Sequence, residues 1–275
     1  MKKINTILIL AILSLSLGVD AQWSSYTVGH GQQQDAETQE KEYILDMSSG
    51  TLHLNDIHEL HVVAYSGNKV RISSLVEKSE SSDRAKGLKR LNADGLDDNT
   101  GFGISAVIEA GEGRITQLNN SCSCHDIKVE VPTGIKVVVD NSSMNGEYIK
   151  MEGISNEIEI STNYQDLHLK DITGPISAKT VYGEVEASFS KVNQEGAISI
   201  YSVYGYVDVS LPPSSKGNFK LSTPYGEIYS NVDIQIETDK SSKSHSGNKI
   251  SGVLNGGGVD ISLKAAYGDV FLRAL

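Results

Sequence analysis

A Tyr-Gly pair, followed by an acidic or aromatic residue and then a β-branched one, recurs through the second half of the chain. No other feature limits its possible folds as much. The copies are Tyr182-Gly183-Glu184-Val185, Tyr204-Gly205-Tyr206-Val207, Tyr225-Gly226-Glu227-Ile228 and Tyr267-Gly268-Asp269-Val270. Successive tyrosines lie 22, 21 and 42 residues apart, so the last interval spans two periods and holds an irregular rung or an insertion. A degenerate copy around Tyr164, with Gln165 in the place of the glycine, puts the start of the repeat near residue 156.

Aligning on tyrosine also aligns the flanks. Ile176, Ile198, Phe219 and Ile261 form one apolar column, Ala178, Ile200, Leu221 and Leu263 a second, and Val185, Val207, Ile228 and Val270 a third. Between the first two stand Ser177, Ser199, Lys220 and Ser262, the alternation of a strand with one buried face. A unit of this length loses about 1–2 kcal/mol of backbone freedom per residue on ordering. Its few inward side chains return only about 1.5–3 kcal/mol each. One unit cannot fold alone, whereas stacked units share ladders and columns. The expected architecture is therefore all-β, a single-chain β-solenoid (β-helix-like) of stacked short strands. The glycine is expected to supply either a positive φ or a close approach at a tight corner.

In such a stack Tyr182, Tyr204, Tyr225 and Tyr267 stand about 4.8 Å apart. One reading is structural, with stacked rings contributing about 0.5–1.5 kcal/mol per pair. The other is a binding strip, in which Tyr182, Tyr204 and Tyr225 dock a glycan or another protein.

The first half reads as short strands at Tyr43–Leu45, Leu52–Leu54, Leu60–Val63, Val70–Ile72, Gly103–Ala110 and Asp126–Val131. Between them, residues 78–98 read as a short helix or loop insertion, with Leu88 and Leu91 at helical spacing. At the N-terminus, Lys2 and Lys3 precede an apolar run from Ile7 to Leu17 and a small-residue end at Ala21. Residues 1–21 thus have the form of an export signal, and 22–41 of a polar leader. The folded domain is expected over 42–275, with no later apolar run of transmembrane length. Removing Lys2, Lys3 and Asp20 moves the formal charge from −11 to −12. That balance, without a long basic run, argues against nucleic acid as a partner.

These features together resemble the bacterial putative-adhesin family of exported β-solenoid domains of unknown function. The resemblance rests on Ser48-Ser49-Gly50-Thr51-Leu52-His53-Leu54, on Val129-Glu130-Val131-Pro132-Thr133-Gly134-Ile135-Lys136-Val137, on the Gly-acid-apolar turns, and on Gly256-Gly257-Gly258-Val259-Asp260-Ile261-Ser262-Leu263. It covers nearly all of the mature chain. It implies an exported protein of the periplasm, cell surface or medium, with an adhesin-like binding role. Tyrosine before every turn glycine is a departure from the family pattern, which often has a small or polar residue there.

Enzymatic chemistry finds little support. No G-x-S-x-G, H-E-x-x-H or phosphate-cradling glycine loop is present. The column Glu184, Glu227, Asp269 is expected to face solvent rather than flank a substrate. Cys122-Ser123-Cys124-His125 lacks the second ligand pair of a zinc site, and His53, His58 and His61 straddle a turn, so no metal or other cofactor is expected. The expectation is a non-enzymatic exported binding protein whose partner is a glycan or an envelope or surface protein. The alternative is an envelope scaffold that self-associates through its last rung. The residues leave the oligomeric state open.

Overall fold

The computed structural model describes residues 38–77, 84, 87–88, 92–93, 95–118, 124–237 and 248–275. The segment read as an export signal, most of the leader, Cys122 and most of the 78–98 insertion lie outside them. Among the described residues there are twenty-one strands and no α-helix. No α-helix occurs at the described positions of 78–98.

The first strands are β1 (Thr38–Leu45), β2 (Gly50–Asn55), β3 (Glu59–Tyr65), β4 (Val70–Glu77), β5 (Ile104–Glu109), β6 (Glu112–Gln117) and β7 (Cys124–Pro132). Next come β8 (Ile135–Asn141), β9 (Tyr148–Glu152), β10 (Ile158–Thr162), β11 (Asp166–Ile172), β12 (Ile176–Thr180), β13 (Val185–Phe189), β14 (Ile198–Ser202) and β15 (Val207–Leu211). The last are β16 (Gly217–Thr223), β17 (Ile228–Ser230), β18 (Gln235–Ile236), β19 (Asn248–Leu254), β20 (Asp260–Ala265) and β21 (Val270–Ala274). β1 opens at Thr38, so four residues read as leader belong to the folded unit.

Two large mixed sheets face each other. Sheet A runs β1-β4-β7-β3-β9-β11-β13-β15-β21-β17, and sheet B runs β18-β19-β16-β20-β14-β12-β10-β8-β2-β6-β5. A rung is one strand of sheet B followed in the chain by one of sheet A, and neighbouring rungs pair in parallel. Alternation sends every second side chain into the space between the sheets. There the three aligned columns are buried, apart from half-buried Ile228. They also reach further than the Tyr-Gly motif. The first continues through Ile158 and Val137 to Leu52, the second through Ile160 and Val139 to Leu54, and the third through Leu167 and Ile149 to Leu60.

The order of rungs in space departs from their order in the chain at both ends. Ile198 pairs with Ile261, and Ile261 with Phe219, so β20/β21 lies between β14/β15 and β16/β17. The two-period interval is filled by the antiparallel strands β18 and β19, after which the chain returns inward. At the other end β2/β3 lies between β8/β9 and β6/β7. The last rung in sequence is thus not the end of the stack, and Val270 is fully buried. The parallel stack is closed by antiparallel strands, β4 and β1 in sheet A and β5 in sheet B at one end, and β19 and β18 in sheet B at the other. The edge strand β1 carries Glu40, Lys41 and Glu42, charges that discourage further strand addition.

Candidate functional site

Each Tyr-Gly pair forms the corner where a strand of sheet B passes into sheet A. The backbones of successive corners stay bonded along the stack. Tyr182 N–H donates to the Asn163 carbonyl (2.8 Å), Tyr204 N–H to Val181 (2.9 Å) and Tyr267 N–H to Val203 (2.9 Å). Held this way, the rings stack in the order Tyr164, Tyr182, Tyr204, Tyr267, Tyr225. Their centroids are 5.2, 5.0, 5.0 and 4.7 Å apart and no pair is inclined by more than 11°. Tyr225 therefore neighbours Tyr267 and not Tyr204, because the rungs themselves are reordered.

The four tyrosines singled out in the sequence do share one surface, and Tyr164 extends it to five rings. All five are exposed, from 39% at Tyr164 to 73% at Tyr225. An interior ring of such a stack turns both faces toward its neighbours, leaving edges and hydroxyls to solvent. The ladder is thus not a strip of open aromatic faces but a row of phenol edges roughly 20 Å long at one strand spacing per ring.

The glycines act by close approach. None of Gly183, Gly205, Gly226 and Gly268 has a positive φ. A Cβ on Gly205 would stand 2.2 Å from the Gly183 carbonyl oxygen, one on Gly268 2.4 Å from that of Gly205, and one on Gly226 2.3 Å from that of Gly268. The column ends at Gln165, whose fully buried side chain donates to the Ile57 and His58 carbonyls (3.0 and 2.6 Å) of the corner between β2 and β3. That anchoring accounts for the degenerate copy.

A hydroxyl two residues before the tyrosine completes the corner and was missed in the sequence. Thr180 Oγ1 accepts from Gly183 N–H (3.1 Å) and donates to the Gln165 carbonyl (3.1 Å). Ser202 links Gly205 N–H (2.9 Å) to the Gly183 carbonyl (2.8 Å), and Thr223 links Gly226 N–H (2.8 Å) to the Gly268 carbonyl (2.9 Å). The signal was the run T-V-Y-G, S-V-Y-G, T-P-Y-G, broken only by Ala265 in the fourth copy. The acidic column is partly structural as well. Asp166 Oδ1 accepts from Glu184 N–H (2.8 Å) and Asp269 Oδ1 from Glu227 N–H (2.9 Å), each across one rung.

The remaining polar clusters are paired off. His53 lies on sheet B, 3.3 Å from Glu112, and His61 on sheet A, 3.6 Å from Glu152, so these two histidines do not converge. Among the described residues no three His, Cys, Asp or Glu side chains come together as a metal site. A shallow groove of about 380 Å³ on the outer face of sheet A is lined by His168, Lys170, Glu186, Ser188, Asp208 and Arg273. In it Arg273 Nε and Nη2 grip Asp208 at 2.7–2.9 Å, while Glu186 accepts from Tyr206 Oη (2.7 Å) and lies 3.4 Å from His168. The bond to Glu186, together with burial, pushes the Tyr206 phenol well above its usual range. Among the described residues no helix is long and apolar enough to cross a membrane.

Three solved structures are similar to this chain. One is a "putative cell adhesion protein" from Clostridium sporogenes, 12% identical, covering 87% of this chain and 100% of that one, with a TM-score of 0.46. The others are a "putative adhesin" from Bacteroides fragilis (9% identical, 87% and 97% covered, TM-score 0.36) and one from Parabacteroides merdae (7%, 86% and 97%, 0.26). No curated protein matches. The two-sheet stack with corner glycines runs from β1 to β21, and the family model Toastrack DUF4097 matches over the same span, residues 35–273. The chain belongs to the Toastrack DUF4097 family.

Proposed function

We propose that this chain is an exported, non-enzymatic binding protein of the bacterial envelope or surface, and that its stack of rungs works as a β-solenoid presenting the tyrosine ladder to a glycan or an envelope protein. The observation that carries the proposal is a division of labour at the corner. Glycine provides the close approach, the Thr or Ser hydroxyl joins consecutive corners, and backbone bonds hold the register. None of this uses the phenol ring, yet a ring stands exposed at five consecutive corners. A regular row of edges and hydroxyls on a stiff scaffold orders little on binding, so its contacts are not spent on immobilising loops.

The test replaces Tyr182, Tyr204 and Tyr267, three rings adjacent in space, by alanine. The variant is expected to keep its far-ultraviolet circular dichroism and to lose most retention on immobilised envelope polysaccharide or on envelope membranes. The corresponding triple phenylalanine variant keeps the stack without the hydroxyls and is expected to lose part of it. A folded alanine variant retained as well as wild type excludes the ladder as the binding surface.

A further inference from the structure

The outer face of sheet B presents two rows of side chains across β12, β14, β20, β16 and β19, the second of them three residues before the ladder tyrosines on the first four strands. One row is Ser177, Ser199, Ser262, Lys220 and Ser251. The other is Lys179, Tyr201, Lys264, Ser222 and Lys249. All ten are exposed or half-buried, while the intervening residues on β12, β14, β20 and β16 point into the core. In a chain of formal charge −11 these rows hold four ammonium groups and no carboxylate. None of the four lysines has a carboxylate partner among the described residues, and Lys264 Nζ lies 4.6 Å from the centre of the Tyr201 ring. The nearest acids flank the rows: exposed Glu237 continues the first row beyond Ser251, to whose carbonyl its N–H donates (2.9 Å), and two more lie at the other borders. Glu159, beside Ser177, is held by Lys136 at 2.7 Å, and Asp260 lies at the start of β20 beside Asn218. On the same rungs Glu184, Asp269 and Glu227 stand at the corners that lead into sheet A, and the outer face of sheet A carries Glu186, Asp208 and Arg273, the last two paired with each other.

The lysines of the second row fall on every second strand, about 10 Å apart at two strand spacings. Between them stand the Tyr201 ring and the Ser222 hydroxyl, and alongside runs a row of serine hydroxyls. A polyphosphate or nucleic acid, with a charge on every unit, would meet a cation at only a fraction of its anions. A polysaccharide with one acidic group per disaccharide alternates charged and neutral rings over a comparable length, and its neutral ring suits an aromatic edge and hydroxyls. We infer that this face docks a linear anionic polysaccharide lying along the stack axis, across the strands. The inference rests on side chains other than those of the ladder and stands or falls apart from it.

The test measures binding of the full chain to hyaluronan, which carries one carboxylate per disaccharide, with neutral dextran and polyphosphate in parallel. Hyaluronan is expected to bind and to be released by added salt, as screening of exposed charges requires, and dextran is expected not to bind. The triple variant Lys179→Glu, Lys249→Glu, Lys264→Glu is expected to lose about tenfold or more in affinity, given that exposed ion pairs contribute modestly each. Lys170→Glu, Lys191→Glu, Lys216→Glu changes the net charge equally and is expected to stay within about twofold of wild type. The triple Lys→Gln variant at 179, 249 and 264, with thermal melts of every variant, separates lost contacts from lost fold. Equal losses in the two Glu triples, polyphosphate binding as tight as hyaluronan, or no wild-type affinity for hyaluronan each overturn the inference. The ladder alanine variant is expected to bind hyaluronan unchanged, so failure of one surface does not decide the other.

Discussion

Gly205 and Tyr204 are neighbours in the chain with separate physical roles. A methyl group on Gly205 would lie 2.2 Å from a backbone oxygen that is itself part of the ladder of corners. Neither rung can move away without breaking the Ser202 bonds or the strand pairing on both sides. Gly205→Ala is expected to cost about 2–4 kcal/mol, in the range of overpacking and backbone strain. Tyr204→Ala removes two stacking contacts on an exposed ring and is expected to cost about 1–2 kcal/mol. Urea denaturation of the two variants checks the order, and a Tyr204→Ala cost equal to or above that of Gly205→Ala would show that the ring, not the glycine, holds the corner. The tyrosines and glycines were legible in the sequence because the pair recurs in four clear copies. The hydroxyl at Thr180, Ser202 and Thr223 was not, since Ser and Thr also fill solvent positions on these strands, as Ser177 and Ser199 do.

At the level of strands, the aligned columns were readable but their sequence in space was not. Ile261 fits beside Ile198 as well as Phe219 does, so apolar periodicity is indifferent to which rung comes next. The deciding information lies in the connection. β19 runs antiparallel to β16 and returns the chain through Asn255, Gly256 and Gly257, all at positive φ, to the inner side of β16. Crosslinking distinguishes the two orders. With Cys122 and Cys124 replaced by serine, a Ser199→Cys, Ser262→Cys variant places two outward cysteines on directly paired residues, a separation that a disulfide spans. The Ser199→Cys, Lys220→Cys variant places them about two strand spacings apart, beyond the reach of a bridge. Oxidation is expected to close the first pair and not the second, read by mass spectrometry of the peptides. The opposite result would restore the sequential order. The same indifference explains why the repeat, read as beginning near residue 156, hid its continuation. β2, β3, β8 and β9 keep the columns but lack the Tyr-Gly corner that made the later rungs visible.

For the whole molecule, both reorderings have one effect. In a stack that followed the chain, the first and last rungs would be the ends, paired on one side only and free to fray. Here β2/β3 and β20/β21 are each paired on both sides, and the exposed positions fall to β1, β5, β17 and β18. Stability in a stacked array is nearly a sum of rung and interface terms, so placing β20/β21 inside the stack gives that rung an interface on both sides. The cost is kinetic. β20/β21 pairs with β14/β15 across a long stretch of chain, and non-local contacts of this kind slow folding. Native-state hydrogen exchange tests this arrangement without perturbing it. Amides of Val270, Phe271 and Leu272, within six residues of the C-terminus, are expected to be protected to the same free energy as those of Val207, Asp208 and Val209, with which they pair. Those of the edge strands β17 and β18 are expected to exchange first, although they lie further from the terminus. Protection that instead declines steadily toward residue 275 would mean that the last rung opens as an ordinary chain end. The insertion would then contribute nothing to holding the stack together.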